Sequence, residues 1–309
     1  MVGLLFPGQG SQFVGMGRDL ADASVVARRT FEEADDILGF ALTRVAWDGP
    51  EAELTATRNA QPALLTHSIA AWRTLGEVSD LDRATVAFAA GHSLGEFSAY
   101  VAAGALSFAD GLRTVRVRGE LMHGAGSARA GAMAAVLGLD EGQVDAVCRA
   151  ASGPDGECVP ANYNSPAQVV ISGDTAAVER AMALAKEAGA RRSLRLNVSG
   201  AFHSPLMKVA EDGLRAQLDA VEIGPPAFPI ISNVTAQPVS DPAQARNLLT
   251  AQLTSPVCWT KSVHTMVALG ATKLLEVGPG AVLSGLARRI EHGIETHTFG
   301  TAGELEAWA

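Results

Sequence analysis

At 309 residues and 31.9 kDa the chain is long enough to bury a sizeable core, as one large domain or two unequal ones. Hydrophobic residues at 48% against 18% charged exclude a disordered chain, and no apolar run approaches the roughly 18 residues that would cross a bilayer. A net charge of −9 excludes general nucleic-acid binding, because no basic excess is available to displace counterions from phosphates.

Val2 to Phe6 is apolar but stops at Pro7-Gly8 without a basic leader, so it reads as a first strand rather than a signal peptide, and a cytoplasmic protein is expected. Cys148, Cys158 and Cys258 lack metal-ligand spacing and read as small core hydrophobes in a reducing compartment; no metal or tightly held cofactor is expected. The loop Pro7-Gly8-Gln9-Gly10-Ser11-Gln12 follows the strand. Phe13 stands where a dinucleotide fingerprint needs Gly, and no Gly-Lys-Ser/Thr follows, so both nucleotide readings fail. What remains is a plain turn, or a loop whose backbone N–H groups face a ligand.

Helical patterns run from Asp22 to Leu38, ended by Gly39, and from Gln61 to Leu75, with Pro62 in the first turn. Val86, Phe88 and the neighbouring alanines then read as a short buried strand, and Glu96 to Ala103 as a helix. Gly91-His92-Ser93-Leu94-Gly95 falls on the turn between them. A sharp strand-to-helix turn needs glycines on steric grounds and lifts the serine hydroxyl to the positive end of a helix, where an oxyanion is favoured. Ser93 is therefore a candidate nucleophile on an elbow, although the pentapeptide arises by chance about 0.2 times in a chain this rich in glycine.

Ser107 caps a helix expected over Phe108 to His123, whose apolar face carries Leu112, Val115, Leu121 and Met122. Arg118 lies on that stripe, whereas Arg113 and Arg116 face elsewhere as solvated charges. A guanidinium there needs either a protein carboxylate or an anionic ligand. Gly124 to Gly131 reads as a connector. Beyond it the order is strand (Met133–Leu137), helix (Glu141–Ala151), strands (Cys158–Asn162, Gln168–Ser172), helix (Thr175–Ala188) and strand (Ser193–Leu196), the βαββαβ pattern of a ferredoxin-like unit, with a turn at 162–166. His203, framed by Gly200 and Pro205 in Val198-Ser199-Gly200-Ala201-Phe202-His203-Ser204-Pro205, is the best candidate for a base among seven histidines; His92 should point to the other side of the elbow. The α/β alternation then resumes: strand 228–234, helices 242–253 and 261–269, strand 273–277, and a last helix to Ile290 after Gly278-Pro279-Gly280. Residues 300–309 form a short helix or a frayed tail.

The motifs Phe6-Pro7-Gly8-Gln9-Gly10-Ser11-Gln12, Gly91-His92-Ser93-Leu94-Gly95-Glu96, Arg118-Gly119, Phe202-His203-Ser204, Gln252 with Ser255-Pro256-Val257, and Glu276-Val277-Gly278-Pro279-Gly280 together resemble the malonyl-CoA:acyl carrier protein transacylase family over nearly the whole chain, in order. The resemblance implies an α/β fold: an α/β-hydrolase-like subdomain, residues 1–127 and 197–309, with an inserted ferredoxin-like subdomain, residues 128–196. It implies a ping-pong transfer of malonyl from a coenzyme A thioester to the phosphopantetheine thiol of an acyl carrier protein, with neither nucleic acid nor membrane as partner. In that scheme Ser93 is acylated and His203 is its base. The main-chain carbonyl of Gln252 orients the histidine, backbone N–H groups of Gln9 and Leu94 make the oxyanion hole, and Arg118 clamps the malonyl carboxylate.

Phe202 before the histidine resembles malonyl-selective rather than methylmalonyl-selective members. The tetrapeptide Ala201-Phe202-His203-Ser204 looks more like polyketide synthase acyltransferases, which leaves open a discrete enzyme of fatty acid or of polyketide synthesis acting in trans. Arg191, Arg192, Arg195, Lys208, Arg288 and Arg289 are candidates for a basic patch that meets an acidic carrier. Two other readings are kept: an acyl-thioester hydrolase acting on acyl carrier protein, and a non-catalytic carrier-docking module.

Overall fold

The computed structural model describes residues 1–81 and 83–308. The chain opens with β1 (Val2–Phe6), followed by α1 (Arg18–Ala23), α2 (Val25–Leu38), α3 (Leu42–Asp48), α4 (Glu51–Thr55) and α5 (Thr57–Val78). Then come β2 (Val86–Gly91), α6 (Leu94–Ala102) and α7 (Phe108–Ala128). The middle stretch is β3 (Gly131–Leu137), α8 (Glu141–Ala151), β4 (Cys158–Ser165), β5 (Gln168–Asp174), α9 (Thr175–Glu187) and β6 (Arg192–Arg195). A 3-10 turn at Pro205–Met207 leads to α10 (Lys208–Asp219), β7 (Ile230–Ile231), β8 (Pro238–Val239), α11 (Pro242–Ala251) and α12 (Trp259–Ala268). The chain ends through β9 (Lys273–Val277), α13 (Val282–Ile290), β10 (Glu295–Phe299) and α14 (Ala302–Trp308).

Six strands form the larger sheet in the order β10-β9-β1-β2-β7-β8, parallel except for β8. Helices cover both faces, so the central strands read as unbroken apolar runs, and Leu4, Leu5 and Phe6 are fully buried. The two-residue period of β1 still divides them. Leu4 and Phe6 pack with Phe31, Leu64, Phe97 and Val115 on one side, while Leu5 packs with Trp259, Val263 and Leu286 on the other.

The second sheet is antiparallel, β4-β5-β3-β6, which in its own chain order is 2-3-1-4, the ferredoxin-like arrangement. One face buries Ala134, Val136, Val169 and Ile171 against Val144 and Val147 of α8 and Val178 and Ala181 of α9. The other face turns Met133, Ala135 and Val170 towards a cleft beside Ser93. The edge strand is stitched to the segment before α12: Tyr163 N–H donates to the Val257 carbonyl at 2.9 Å, and Val257 N–H donates to the Ala161 carbonyl at 2.8 Å. The architecture is the expected one, an α/β-hydrolase-like part carrying a ferredoxin-like unit.

Several boundaries differ from the expectation for local reasons. The first long helix breaks at Ser24, whose extended backbone (ψ 125°) and side-chain oxygen cap α2 through Ala27 N–H at 3.2 Å. Helix α5 begins at Thr57, so Pro62 lies inside it. The carbonyl that Pro62 cannot satisfy, that of Arg58, accepts instead from Arg116 Nη1 at 3.1 Å. Arg116 is thus no free solvated charge; it also bonds Asn59 and Glu120 and stacks on Phe40. Strand β4 runs on through Ser165, where a turn had been expected, and the expected strand 228–234 shrinks to Ile230–Ile231. Helices α3 and α4 and strand β10 are additional. The tail is helical to Trp308, and Ala309 lies outside the described residues.

Helix α7 passes through the expected glycine connector to Ala128. Gly126 permits a crossing rather than a stop, since a Cβ there would lie 2.0 Å from the Ser199 carbonyl oxygen. The crossing segment is the one that delivers His203. Gly126→Ala should therefore cost about 1–3 kcal/mol of stability by overpacking, read as a lower urea midpoint, and should slow the chemistry at Ser93 as the histidine segment is pushed away.

Candidate active site

Ser93 stands one residue beyond β2, after His92, and immediately precedes the first residue of α6, with φ 51° and ψ −105°, a conformation that costs a non-glycine residue on the order of 1–3 kcal/mol. The flanking glycines make it possible. A Cβ on Gly91 would fall 1.9 Å from the Gly95 carbonyl carbon, and one on Gly95 would fall 2.0 Å from the Phe6 carbonyl oxygen. The glycine-rich loop after β1 packs equally closely, with a Gly8 Cβ position only 2.3 Å from the His92 carbonyl oxygen. Gln9 is thereby brought to the cleft beside Ser93. Among the described residues, neither the Gln9 nor the Leu94 backbone N–H meets a protein acceptor; Leu94, as the first residue of α6, has none within its helix.

His203 reaches the elbow from the other end of the chain, on a loop where it too has a positive φ of 56°. Its Nε2 lies 2.8 Å from Ser93 Oγ, and its Nδ1 lies 2.8 Å from the Gln252 main-chain oxygen. A carbonyl only accepts, so Nδ1 carries the hydrogen and Nε2 is left as the acceptor for the serine proton. Burial first, and then the Arg118 charge, push the His203 pKa down to about 3. His92 turns instead to Asn164 Oδ1 at 2.8 Å and packs against Trp259.

Arg118 is 1% exposed. Its Nη2 donates to Ser93 Oγ at 3.1 Å and to Gln252 Oε1 at 2.8 Å, and its Nη1 donates to Gln61 Oε1 at 2.8 Å, while Nε has no partner and the Phe97 ring lies 5.4 Å below. Among the described residues no carboxylate sits at ion-pair distance from it. Of the two explanations for an arginine on this apolar stripe, the direct protein salt bridge is absent. Burial lowers its pKa to about 10, so it remains a cation at neutral pH. The cleft of about 360 Å³ in front of these groups is lined by Gln9, Ser93, Asn162, Phe202 and His203, among others. No described cluster of His, Cys, Asp and Glu has the form of a metal site.

A serine on a strained elbow, a histidine held by a main-chain carbonyl and a buried guanidinium without a carboxylate partner, all on one cleft, correspond to what the chain resembles in sequence. The acyl transferase domain family matches residues 4–300. A malonyl CoA-acyl carrier protein transacylase of Bacillus subtilis is 47% identical over 96% of this chain and 92% of its own length; that of Escherichia coli K12 is 44% identical over 99% and 96%. The chain belongs to the malonyl-CoA:acyl carrier protein transacylase family. Among solved structures, an acyl-carrier-protein-S-malonyltransferase of Bartonella henselae superposes with a TM-score of 0.95 at 43% identity, covering 99% of this chain and 97% of that one. A malonyl-transacylase solved in complex with its type II PKS acyl carrier protein gives 0.94 at 42%, covering 99% of this chain and 98% of that one.

In this transacylase the structure brings together Ser93, His203, Arg118 and Gln252, with Gln9, Leu94 and Phe202 around them. It adds four side chains that the sequence reading did not single out. Gln61 holds the guanidinium. The Gln252 side chain donates through Nε2 to the Ser93 carbonyl at 3.1 Å and to Glu96 Oε2 at 2.5 Å. Glu96 is fully buried, and burial raises its pKa to about 7. Asn233, just beyond β7, spans the elbow: its Oδ1 accepts from Ser93 N–H at 2.7 Å, and its Nδ2 donates to the Gly91 carbonyl at 2.6 Å. Its only local signal is a polar residue at the end of an apolar strand. Asn233→Ala would leave a buried donor and a buried acceptor unpaired, and the expected loss, measured by denaturant unfolding, is about 1–3 kcal/mol.

Proposed function

We propose that this transacylase moves malonyl from coenzyme A to the phosphopantetheine thiol of an acyl carrier protein, by a ping-pong route through a malonyl ester of Ser93. The observation that carries the reading is Arg118, a buried cation without a carboxylate partner, 3.1 Å from the nucleophilic oxygen. A malonyl carbonyl bonded at Ser93 stands one methylene from its own carboxylate, a reach that suits this short separation. A planar guanidinium binds a carboxylate through paired hydrogen bonds and offers an acetyl group nothing comparable.

Ser93 Oγ attacks the thioester carbonyl while His203 Nε2 takes its proton. The Gln252 carbonyl keeps the imidazole in the required tautomer and orientation, so no acidic third member is needed. Negative charge on the tetrahedral oxygen falls to the Gln9 and Leu94 N–H groups and the positive end of α6. As the C–S bond breaks, His203 returns the proton to the departing thiolate. The carrier thiol then repeats the sequence in reverse. Water competes with that thiol, and the apolar wall of Met122, Met133, Val170 and Phe202 disfavours it. Phe202 also leaves less room for the extra methyl of methylmalonyl.

For carrier docking, Arg191, Arg192 and Arg289 line a depression of about 470 Å³ that joins the active cleft through Gln168. These three suit the acidic face of a carrier better than Arg195 and Lys208, which are paired with Glu179 and Glu211.

Arg118→Ala should weaken malonyl loading by about 2–4 kcal/mol in kcat/KM while sparing or raising acetyl loading. Intact-mass analysis of the acylated chain reads both, and unchanged malonyl loading would refute the clamp. Malonate released to solvent, compared with malonyl delivered to a carrier, separates transfer from hydrolysis. Because His203 is held neutral down to about pH 3, acylation should persist from pH 8 to below pH 5. The acid limb of kcat should lie higher than that of kcat/KM, since bound malonyl offsets the Arg118 charge that helps depress the histidine. A single limb near 6.5 in rapid-quench acylation would show a freely titrating imidazole.

A further inference from the structure

One buried ionisable group in the site takes no part in the steps above. Glu96 lies one turn along α6 from Ser93 and is fully buried. Its Oε2 accepts from Gln252 Nε2 at 2.5 Å and from Asn233 N–H at 3.4 Å, and its Oε1 has no partner. The other end of the same amide, Gln252 Oε1, accepts from Arg118 at 2.8 Å. One cation and one carboxyl group therefore share a buried cluster, separated by a single amide.

The separation matters. A carboxylate in direct contact would occupy the donors of Arg118, whereas one amide away it offsets the charge and leaves the guanidinium open. We propose that Glu96 is the counter-charge of the Arg118 clamp, acting through Gln252, and that it takes up a proton when a malonyl carboxylate docks. It touches neither substrate nor reacting atoms, so it is a positioning residue that tunes selectivity for charged acyl groups. The inference rests on the reading of Arg118 as the carboxylate clamp.

Docking places two carboxylates around one guanidinium, and like charges in a dry cluster oppose each other's ionisation. The malonyl group takes the direct donors of Arg118. Glu96, already poised near neutrality by burial, is the one that gives way. No other cation stands close enough to hold it ionised. Strands β1, β2 and β7 contribute no titratable side chain to the packing around α6. From α5, His67 is bonded to the Gly300 carbonyl and Arg73 to Glu33, while Arg58 and Glu77 are exposed. From α7 comes Arg118 itself. Tyr100, on α6, is pushed further towards its neutral form by Glu96, and His203 lies beyond the Gln252 peptide. The balance is malonyl-CoA plus the Ser93 hydroxyl plus the Glu96 carboxylate plus one solvent proton, giving the malonyl ester, free coenzyme A thiol and a neutral Glu96 carboxyl group. No electrons are exchanged.

The test uses the full chain at pH 8, loaded with malonyl-CoA or acetyl-CoA, with proton exchange followed by an indicator dye and by calorimetry in buffers of different ionisation enthalpy. Thiol ionisation of coenzyme A is common to both reactions and cancels. Malonyl loading should take up roughly half to one proton more per acylated serine than acetyl loading. In the parent, the malonyl-to-acetyl ratio of kcat/KM should fall above about pH 7, by up to tenfold per pH unit. Glu96→Gln keeps the shape and an acceptor oxygen while removing the charge, so both the extra proton and the slope should vanish. Equal uptake for the two acyl groups in the parent overturns the proposal without need of any variant. Extra uptake that survives in Glu96→Gln overturns it by placing the proton elsewhere. Arg118→Ala keeps the two readings apart: normal malonyl loading there removes the clamp itself, whereas lost malonyl loading with equal proton uptake in the parent removes only the role of Glu96.

Discussion

Gln252 is the residue on which the site depends. Its main-chain oxygen fixes His203, its side-chain oxygen holds Arg118, and its side-chain nitrogen binds both Glu96 and the Ser93 carbonyl. The proposed base, clamp and nucleophile are thus referenced to one residue just past the end of α11. A shift of that residue would move all three, so the geometry behaves as a unit. In the proposed mechanism the same arrangement lets a serine nucleophile dispense with an acidic triad member. A carbonyl dipole orients the imidazole without placing a full negative charge beside it, which would compete with an anionic acyl group for the nearby guanidinium.

What was legible in the sequence is what sterics and periodicity encode locally. Gly91 and Gly95 announce the elbow because any side chain there would run into Gly95 itself or into Phe6. Arg118 stands out because it interrupts an apolar helical stripe, and the βαββαβ order declares the second sheet. His203 is marked by its glycine and proline frame. The role of the Gln252 carbonyl came from the family resemblance, since no local pattern reveals that a main-chain oxygen will face a histidine.

The partners that complete the site were not legible. Gln61, Asn233, Glu96 and the Gln252 side chain are polar residues buried by contacts far apart in sequence, and in isolation each resembles a surface or loop residue. Helix ends failed where tertiary packing overrode local preference. Gly126 looks like a breaker but serves as a crossing point, and Pro62 sits inside a helix because Arg116 satisfies the carbonyl that it strands.

The backbone bonds between β4 and Val257 tie the small sheet to the segment that leads into α12, at the rim of the cleft. That tie favours a fixed aperture over a jaw. In the proposed route two very different molecules, a nucleotide as acyl donor and a folded carrier as acceptor, use it in alternation, and neither can be engulfed. What they have in common is the slender pantetheine arm, long enough to carry a thioester from the surface to Ser93. A fixed opening gauged to that arm lets one site accept both in turn, leaving the bodies of coenzyme A and of the carrier outside.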